Sequence, residues 1–182
     1  MSPRGSTPVD AGLVRDLTLP HLDSAYNLAR WLMGSPQDAS DAVHTAFLRA
    51  ARYVHTYAGG NARAWWLSIV RNCCLATLAA RRPRDVSLDA MESDSAAALA
   101  ATAPDEPEEK LHLAQSAALV MKHLEKLPPE FREVLVLREI EDASYREIGE
   151  ILSVPIGTVM SRLSRARQMM RKALSAPPGV ET

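Results

Sequence analysis

A short capped helix, a tight turn and a strongly basic helix are the features that most constrain the fold of this chain. In the stretch "SYREIGEIL", Ser144 is a favoured N-cap residue and Glu147 follows three residues later, which is the capping-box spacing. The residues "SVP" (153–155) then form a short turn, and residues 156–174 have the apolar period of a second helix. Two helices joined by so short a turn predict a helix-turn-helix.

The second of these helices is one-sided in charge. Residues 153–174 hold five basic residues and no acidic one, although the net charge of the chain is −1. One stripe is apolar and should pack on the preceding helices: Val159, Leu163, Ala166 and Met170. A second stripe lies roughly a third of a turn away and suits a DNA major groove, where Arg reads guanine and short hydroxyls reach bases or phosphates. Its members are Thr158, Ser161, Arg162 and Arg165.

Further basic residues lie round or along the same helix, where DNA phosphates are the expected target. They are Arg167, Arg171 and Lys172. A solvated basic helix end that only complements the helix dipole is the alternative interpretation. The capped helix and the turn in front of it favour DNA binding.

The rest of the chain also has a helical period and no strand pattern. Residues 13–33 predict a helix interrupted at Pro20, and residues 62–80 predict a third helix. Between them, Ser35 as N-cap and Pro36 at the first helical position predict the start of a second helix, whose inner stripe includes Phe47. Aromatic residues make up 5% of the chain, so its cores should be aliphatic. We expect an all-α fold of two small helical domains joined by a flexible linker, with the helix-turn-helix in the second domain. Residues 83–110 contain eight acidic residues, two basic ones and no sustained period, which is typical of a linker. The predicted order is a disordered N-terminus (1–12), a first domain (13–82), the acidic linker (83–110), a second domain (111–175) and a tail (176–182).

Several classes of protein are disfavoured by the composition. The polar N-terminal residues lack the apolar core of a secretory signal, and no apolar run approaches the length of a membrane span, so we expect a cytoplasmic protein. Cys73 and Cys74 are adjacent, so a mutual disulfide would be strained, and no Cys/His cluster has a zinc spacing. The five histidines are scattered and no catalytic motif is present. We therefore expect no enzyme activity, no cofactor and no metal.

The segment "LPPEFREVLVLREIEDASYREIGEILSVPIGTVMSRLSRARQMMRKAL" (127–174) resembles region 4 of bacterial RNA polymerase sigma factors of the extracytoplasmic-function (ECF) group. Earlier in the chain, "DASDAVHTAFLRAARY" is similar to their region 2.2 and "ARAWWLSIVRN" to their regions 2.3–2.4. The resemblance implies a transcription initiation factor that binds core RNA polymerase and directs it to promoter DNA. A stand-alone helix-turn-helix regulator is the alternative, but it leaves the two earlier motifs unexplained.

In that family, region 4 reads the −35 element as duplex, and region 2 reads one strand of the melted −10 element. The resemblance therefore assigns the second stripe of the basic helix to the −35 element, although Met160 and Ser164 depart from the family pattern. The loop "YAGGNARAW" lies where the family holds an unstacked base. Trp65 fits the inner stripe of its helix, so Trp66 is expected to face outward and stack on a base. The candidate −10 contacts are Asn61, Arg63, Trp66, Arg71, Arg81 and Arg82.

Region 2.2 of the family docks on the polymerase through an exposed helix face. The matching residues here are Asp38, Asp41, Leu48, Arg49 and Arg52, and an ordinary solvated face is the alternative. Ser40 and Thr45 stand where the family usually has carboxylates, which makes them candidate phosphorylation sites. An anti-sigma factor or a Ser/Thr kinase is thus a candidate further partner. For Cys73 and Cys74, packing as small apolar residues and redox sensing both remain open.

Overall fold

The structure, a computed structural model, describes residues 11–81 and 119–175. The predicted linker and tail lie outside the described residues, as do Arg82 and residues 1–10 of the predicted N-terminus, whereas residues 11 and 12 belong to the first helix. All regular structure within the two described ranges is helical, as the sequence predicts. No helix in these ranges is both long enough and apolar enough to cross a membrane.

The first domain begins with two helices where the sequence predicts one interrupted segment. Helix α1 (Ala11–Thr18) is followed by a 3₁₀ turn (Leu19–His21) and by α2 (Leu22–Met33). The break falls at Pro20, whose ring cannot continue a regular helical hydrogen-bond ladder. Helix α2 ends at Gly34, whose φ of 76° is the left-handed geometry that favours glycine.

Helix α3 (Pro36–Tyr53) starts as predicted. The side chain of Ser35 accepts a hydrogen bond from the backbone N–H of Asp38 at 3.4 Å, and Pro36 occupies the first helical turn. The buried stripe of α3 is centred on Ala42 and Ala46. The sequence prediction that Phe47 also lies inside is wrong, because Phe47 stands beyond the edge of this stripe and is 37% exposed.

Helix α4 (Ala62–Arg81) matches the predicted third helix and is capped by the side chain of Asn61, which accepts a hydrogen bond from the backbone N–H of Ala64 at 3.0 Å. Helices α2, α3 and α4 pack against one another around an aliphatic core. Trp66 and Leu67 lie at its centre, with no exposed surface.

The second domain contains the predicted helix-turn-helix. Residues 119–125 form α5; α6 (Pro129–Leu135) continues into a π-helical turn (Val136–Ile140). Helices α7 (Tyr145–Leu152) and α8 (Ile156–Ser175) are the two helices of the motif.

The turn between α7 and α8 has a clear local origin. The Ser144 side chain caps α7 by accepting from the Glu147 N–H at 3.2 Å, and α7 ends at Ser153 in a left-handed conformation. A Cβ atom on Gly149 would lie 3.0 Å from the Val154 carbonyl oxygen, so this glycine allows the chain to fold back closely. The predicted helix-turn-helix is therefore confirmed.

The two domains pack on each other. Helix α7 lies against α4, and α6 lies against α2. The apolar core is continuous across this boundary, so that Trp66 and Val70 belong to the same cluster as Leu137 and Ile148. The sequence gives no periodic signal for this contact, because it depends on which surfaces meet after each domain has formed.

Candidate nucleic-acid and polymerase interfaces

Helix α8 buries one face and exposes another, as its two stripes predict. Val159, Leu163 and Ala166 are at most 1% exposed and pack on the rest of the second domain. Arg165 and Ser161 are exposed, while Thr158 is half-buried. The Ser161 hydroxyl donates to the Thr158 carbonyl at 3.0 Å. Of the two arginines in the predicted reading stripe, Arg165 is exposed and Arg162 is partly buried.

Arg162 differs from Arg165 in its surroundings. Its side chain is 28% exposed, and its Nη1 lies 3.6 Å from a carboxylate oxygen of Glu133, which is 1% exposed. Arg162 is therefore held along the helix surface by a buried anion, and any DNA contact uses a guanidinium that is already anchored on one side.

The predicted phosphate contacts of α8 are all exposed. Arg167 is also paired, since its Nη2 lies 2.7 Å from Glu139 Oε1. Hydrogen bonding from this guanidinium to Glu139 raises the pKa of Arg167, which stays charged in any case. Met160 and Ser164, the two departures from the family pattern, line a shallow groove beside Arg167 and Arg171. This groove places a thioether where the family usually presents a cation.

A cavity of about 290 Å³ opens at the start of α4. Tyr57 and Trp65 form its aromatic wall, with ring centroids 5.4 Å apart. Gly59 and Asn61 contribute to the loop side, and the Tyr57 hydroxyl fixes that loop by donating to the Gly60 carbonyl at 2.8 Å. An aromatic wall beside a short open loop can accept the face of one unstacked base.

The predicted burial of the two tryptophans is reversed in the structure. Trp66 has no exposed surface, so the expectation that it faces outward is wrong. Its buried indole N–H has no hydrogen-bond partner among the residues that the structure describes. Trp65 is half-buried and lines the cavity. The inner stripe of α4 is set by its contacts with α2, α3 and the second domain together, and this shifts the buried face by one residue.

Two of the predicted strand-binding arginines are engaged by the second domain. Arg63 lies 2.9 Å from a carboxylate oxygen of Glu141 and 3.4 Å from one of Glu147. Arg71 donates two hydrogen bonds to Glu133, at 2.7 and 3.0 Å. Both guanidinium groups thus point at carboxylates across the domain boundary.

His21 stands beside the same charges. Partial burial, together with the positive charge of Arg63, lowers the pKa of His21, and the carboxylate of Glu147 opposes that shift. A neutral imidazole is therefore favoured next to the Arg63 guanidinium.

Arg81 and Asp38, assigned by resemblance to different partners, form an ion pair with each other. Two hydrogen bonds of 2.6 Å join the Arg81 guanidinium to the Asp38 carboxylate. Hydrogen bonding from Arg81 lowers the pKa of Asp38. Asn61, by contrast, is occupied as the cap of α4, so its side chain has a structural function.

The remaining predicted polymerase contacts lie on the outer side of α3. Asp41, Arg49 and Arg52 are exposed, and Leu48 is 56% exposed despite being apolar. Phe47, which the sequence assigned to the core, joins this surface. Ser40 and Thr45 are exposed as well, so both hydroxyls are accessible. We call the exposed side of α3 around Leu48 the α3 face.

The cysteines are packed inside the first domain. Cys73 and Cys74 are both free thiols and are at most 2% exposed. Burial raises the pKa of Cys74 to about 12 and also raises that of Cys73. Such thiols carry little thiolate at neutral pH, which favours packing over redox sensing. Within the described residues, no group of three or more His, Cys, Asp or Glu residues could hold a metal ion.

The sequence analysis did not single out the residues that link the domains. Glu133, Glu141 and Glu147 supply the carboxylates. The half-buried Arg132 joins α6 to α2 by donating to the Trp31 carbonyl at 3.2 Å. An available signal was the position of Glu133 among apolar residues of "EFREVLVL". A carboxylate there must be buried and needs a cation nearby.

Comparison with known families agrees with this architecture. The family model for Sigma-70 region 2 matches residues 17–84, and that for Sigma-70, region 4 matches residues 110–170. The ECF RNA polymerase sigma factor SigE of Mycolicibacterium smegmatis is 38% identical over 160 residues, which are 88% of this chain and 61% of that relative. The ECF RNA polymerase sigma-E factor of Escherichia coli is 35% identical over 135 residues, covering 72% of this chain and 71% of the relative.

Solved structures share the fold. The sigma factor RpoE of Bartonella quintana, crystallised with the anti-sigma factor NepR, superposes with a TM-score of 0.63 at 22% identity, covering 89% of this chain and 98% of that chain. CnrH, in complex with the cytosolic domain of CnrY, gives a TM-score of 0.57 at 24% identity, covering 88% and 86%.

Two helical domains, the second built on a helix-turn-helix, and matches to both sigma-70 regions in the same order define a class of transcription initiation factor. The chain belongs to the ECF group of sigma-70 family RNA polymerase sigma factors. Its match spans 61% of the length of the mycobacterial relative.

Proposed function

We propose that the chain works in the cytoplasm as a promoter-specificity factor of RNA polymerase. In this proposal the α3 face docks on core polymerase, α8 reads the −35 duplex, and the first domain holds the melted −10 strand. The factor directs the polymerase and catalyses no reaction itself. The observation that carries the proposal is a single chain that combines an exposed arginine face on a recognition helix with an aromatic-walled cavity of base size.

For the −35 element, Arg165 supports the proposal best. It is exposed on the outer face of α8, next to Ser161, and the opposite face of the helix is buried. Arginine in a major groove pairs with guanine through two hydrogen bonds, which is worth about 1–3 kcal/mol of discrimination. Arg171 and Lys172 lie further along, where they would contact phosphates.

For the −10 strand, the cavity between Tyr57 and Trp65 is the proposed base site. Stacking of one base on an aromatic side chain is worth about 1–3 kcal/mol and is sequence-tolerant, so the loop must add the selectivity. Arg63 and Arg71 lie on α4 and would guide the sugar-phosphate backbone once they are free of the second domain.

A binding experiment separates this function from that of a stand-alone regulator. Purified chain is mixed with core RNA polymerase without DNA, and separately with promoter duplex without polymerase. The proposal requires a stable complex with core polymerase and promoter-specific transcription by that complex. Tight duplex binding by the chain alone, with no binding to polymerase, would instead identify a regulator.

We propose two ways in which the binding of this chain to polymerase could be regulated. Both solved structures named above are complexes with a protein partner, and one of those partners is an anti-sigma factor, so an anti-sigma factor is one candidate. The other is phosphorylation of Ser40 or Thr45, which would add about −1.5 to −2 charges to the α3 side. Core-polymerase affinity of Thr45→Glu and Ser40→Glu, with Thr45→Ala and Ser40→Ala as controls, tests the second. Tighter binding by one Glu variant is expected, and equal binding by all variants would exclude it.

A further inference from the structure

The first two turns of helix α8 expose two large apolar side chains, although the helix is otherwise cationic on its outer side. Met160 is 55% exposed, and Ile156, one helical turn earlier on the same side, is 48% exposed. The other large apolar residues of these turns, Val159 and Leu163, are at most 1% exposed. Single exposed apolar residues are common on protein surfaces, so Met160 is informative because of where it lies.

Met160 lies in the part of a helix-turn-helix that reaches base edges. Helix α8 begins at Ile156 and is the second helix of the motif, and in such motifs the N-terminal residues of the second helix contact bases in the major groove. Residues 153–174 hold five basic residues and no acidic one, so the surface around Met160 is complementary in charge to a polyanion. Duplex DNA is therefore the partner that faces Met160.

The neighbours of Met160 on the helix surface leave its side chain uncovered. Gly157 lies three residues before it and Ser164 four residues after it, and both positions are adjacent to Met160 on a helix. A Cβ atom added at Gly157 would meet nothing within 4 Å, so open space lies above this residue. Met160 and Ser164 line a groove of about 290 Å³, together with Tyr145 and Arg171 among others. The thioether thus projects past short neighbours and can reach a base.

A thioether binds a different part of DNA from the part that an arginine binds. It has no charge and no N–H group, so it cannot hold a phosphate, whereas the exposed Arg171 in the same groove can. The apolar group that a base presents in the major groove is the C5 methyl group of thymine. Methionine is flexible and polarisable, so it adapts to such a group, and contact between the two removes apolar surface from water.

We propose that Met160 is a specificity-determining residue that reads the C5 methyl group of a pyrimidine in the −35 duplex. The inference rests on the proposed function, because it requires α8 to enter the major groove of that element. Thymine carries this methyl group, and 5-methylcytosine presents the same group at the same ring position. Uracil in place of the contacted thymine therefore weakens binding, and methylation of a cytosine at that position strengthens it.

Replacing thymine by uracil removes the methyl group and leaves base pairing unchanged. The complex of the full chain with core polymerase first selects its preferred −35 element from a randomised duplex library. Each thymine of either strand is then replaced singly by uracil, and the affinity of the complex is measured by competition. We expect one replacement to weaken wild-type binding about fourfold, which corresponds to about 0.8 kcal/mol for one buried methyl group.

Variants of the chain assign that loss to a residue. Met160→Ala should bind the thymine and uracil duplexes equally at the identified position, and Met160→Leu should retain a preference for thymine. The matched control is Met169→Ala, because Met169 is also exposed on α8 but lies about 14 Å further along the helix axis. It should discriminate as the wild type does. Thermal unfolding checks that the variants fold, and an exposed side chain predicts unchanged melting temperatures.

A second set of duplexes distinguishes the two sources of the methyl group. The thymine-adenine pair at the identified position is replaced by a cytosine-guanine pair, with and without a methyl group on C5 of the cytosine. The wild type should bind the methylated duplex about fourfold more tightly, by the same burial of one methyl group, and Met160→Ala should not. Equal wild-type binding of both duplexes would overturn the extension to 5-methylcytosine and leave thymine as the ligand.

Failure of the inference and failure of the proposed function give different results. A selected −35 element that binds equally well with thymine or uracil at every position would overturn the methyl contact while supporting promoter reading by the chain. A thymine preference that persists in folded Met160→Ala would overturn the role of Met160. If the complex enriches no −35 sequence at all, the proposed function fails and the inference fails with it.

Discussion

The carboxylate of Glu133 accepts two hydrogen bonds from the guanidinium of Arg71, at 2.7 and 3.0 Å, across the boundary between the two helical domains. The same carboxylate lies 3.6 Å from Arg162 of the recognition helix. One buried anion thus connects a residue proposed for the −10 strand to a residue proposed for the −35 duplex. This arrangement makes Glu133 important for the stability of the domain boundary.

Glu133→Ala should lower the free energy of unfolding by about 3–5 kcal/mol, because it leaves cations partly buried without their partner. The control is Glu139→Ala, which also removes a carboxylate from an arginine of α8. The pair of Glu139 with Arg167 is exposed, so its loss should cost less than about 1 kcal/mol. Urea unfolding followed by circular dichroism measures both, and equal losses would contradict the buried role of Glu133.

Trp65→Ala should leave the fold intact and slow promoter melting, since the side chain lines the cavity and stacking is worth about 1–3 kcal/mol per base. The neighbouring Trp66→Ala should instead destabilise the domain by about 3–5 kcal/mol, because that indole is fully buried. Thermal unfolding and permanganate footprinting distinguish the two. Normal melting of promoter DNA by a folded Trp65→Ala protein would show that Trp65 does not contact the unstacked base.

Arg165→Ala should reduce affinity for the −35 duplex by about 1–3 kcal/mol and relax preference at one base position. Arg171→Ala should weaken binding to all sequences alike and lower the salt dependence, as expected for a phosphate contact. Binding of the polymerase complex to a library of −35 sequences measures both effects. Unchanged preference in Arg165→Ala would show that another residue reads that base.

Cys73 and Cys74 should react slowly with iodoacetamide at pH 8 in the folded chain and rapidly after denaturation. Burial raises the pKa of Cys74 from its ordinary value of 9.0 to about 12, so the folded state holds the thiol proton. The associated stability is present below pH 9 and is lost as the pH rises toward 12. Mass spectrometry of the alkylated protein measures the labelling rate. Fast labelling of the folded chain would contradict protection by burial and support a redox-sensing role.

Much of the fold was predictable from local signals. The Ser35 and Ser144 caps, the break at Pro20 and the period of α8 each depend on neighbouring residues in sequence, and each was found as expected. Which side chains of the first domain are buried was harder to predict. Phe47 and Trp66 were assigned to the wrong sides, because a helix that contacts several neighbours has a buried face that the period alone cannot orient.

In the candidate sites, too, local patterns predicted which residues are exposed but not which distant residues they contact. Arg165 was placed correctly on an exposed face, since the burial of α8 follows from its own apolar stripe. The partners of Arg63 and Arg71 could not be predicted. They come from residues 62 to 84 positions away in sequence, and no local pattern links a carboxylate on α6 or α7 to a guanidinium on α4.

Transcription in vitro on genomic DNA tests the central claim most directly. Core polymerase is supplied with the purified chain, with the Arg165→Ala variant or with neither, and the 5′ ends of the transcripts are sequenced. The account predicts start sites that depend on the chain and share two upstream sequence elements. With Arg165→Ala, the start sites should share a less specific sequence at the −35 element. If the chain binds core polymerase but creates no start site beyond those of the core enzyme alone, promoter selection by this chain is contradicted.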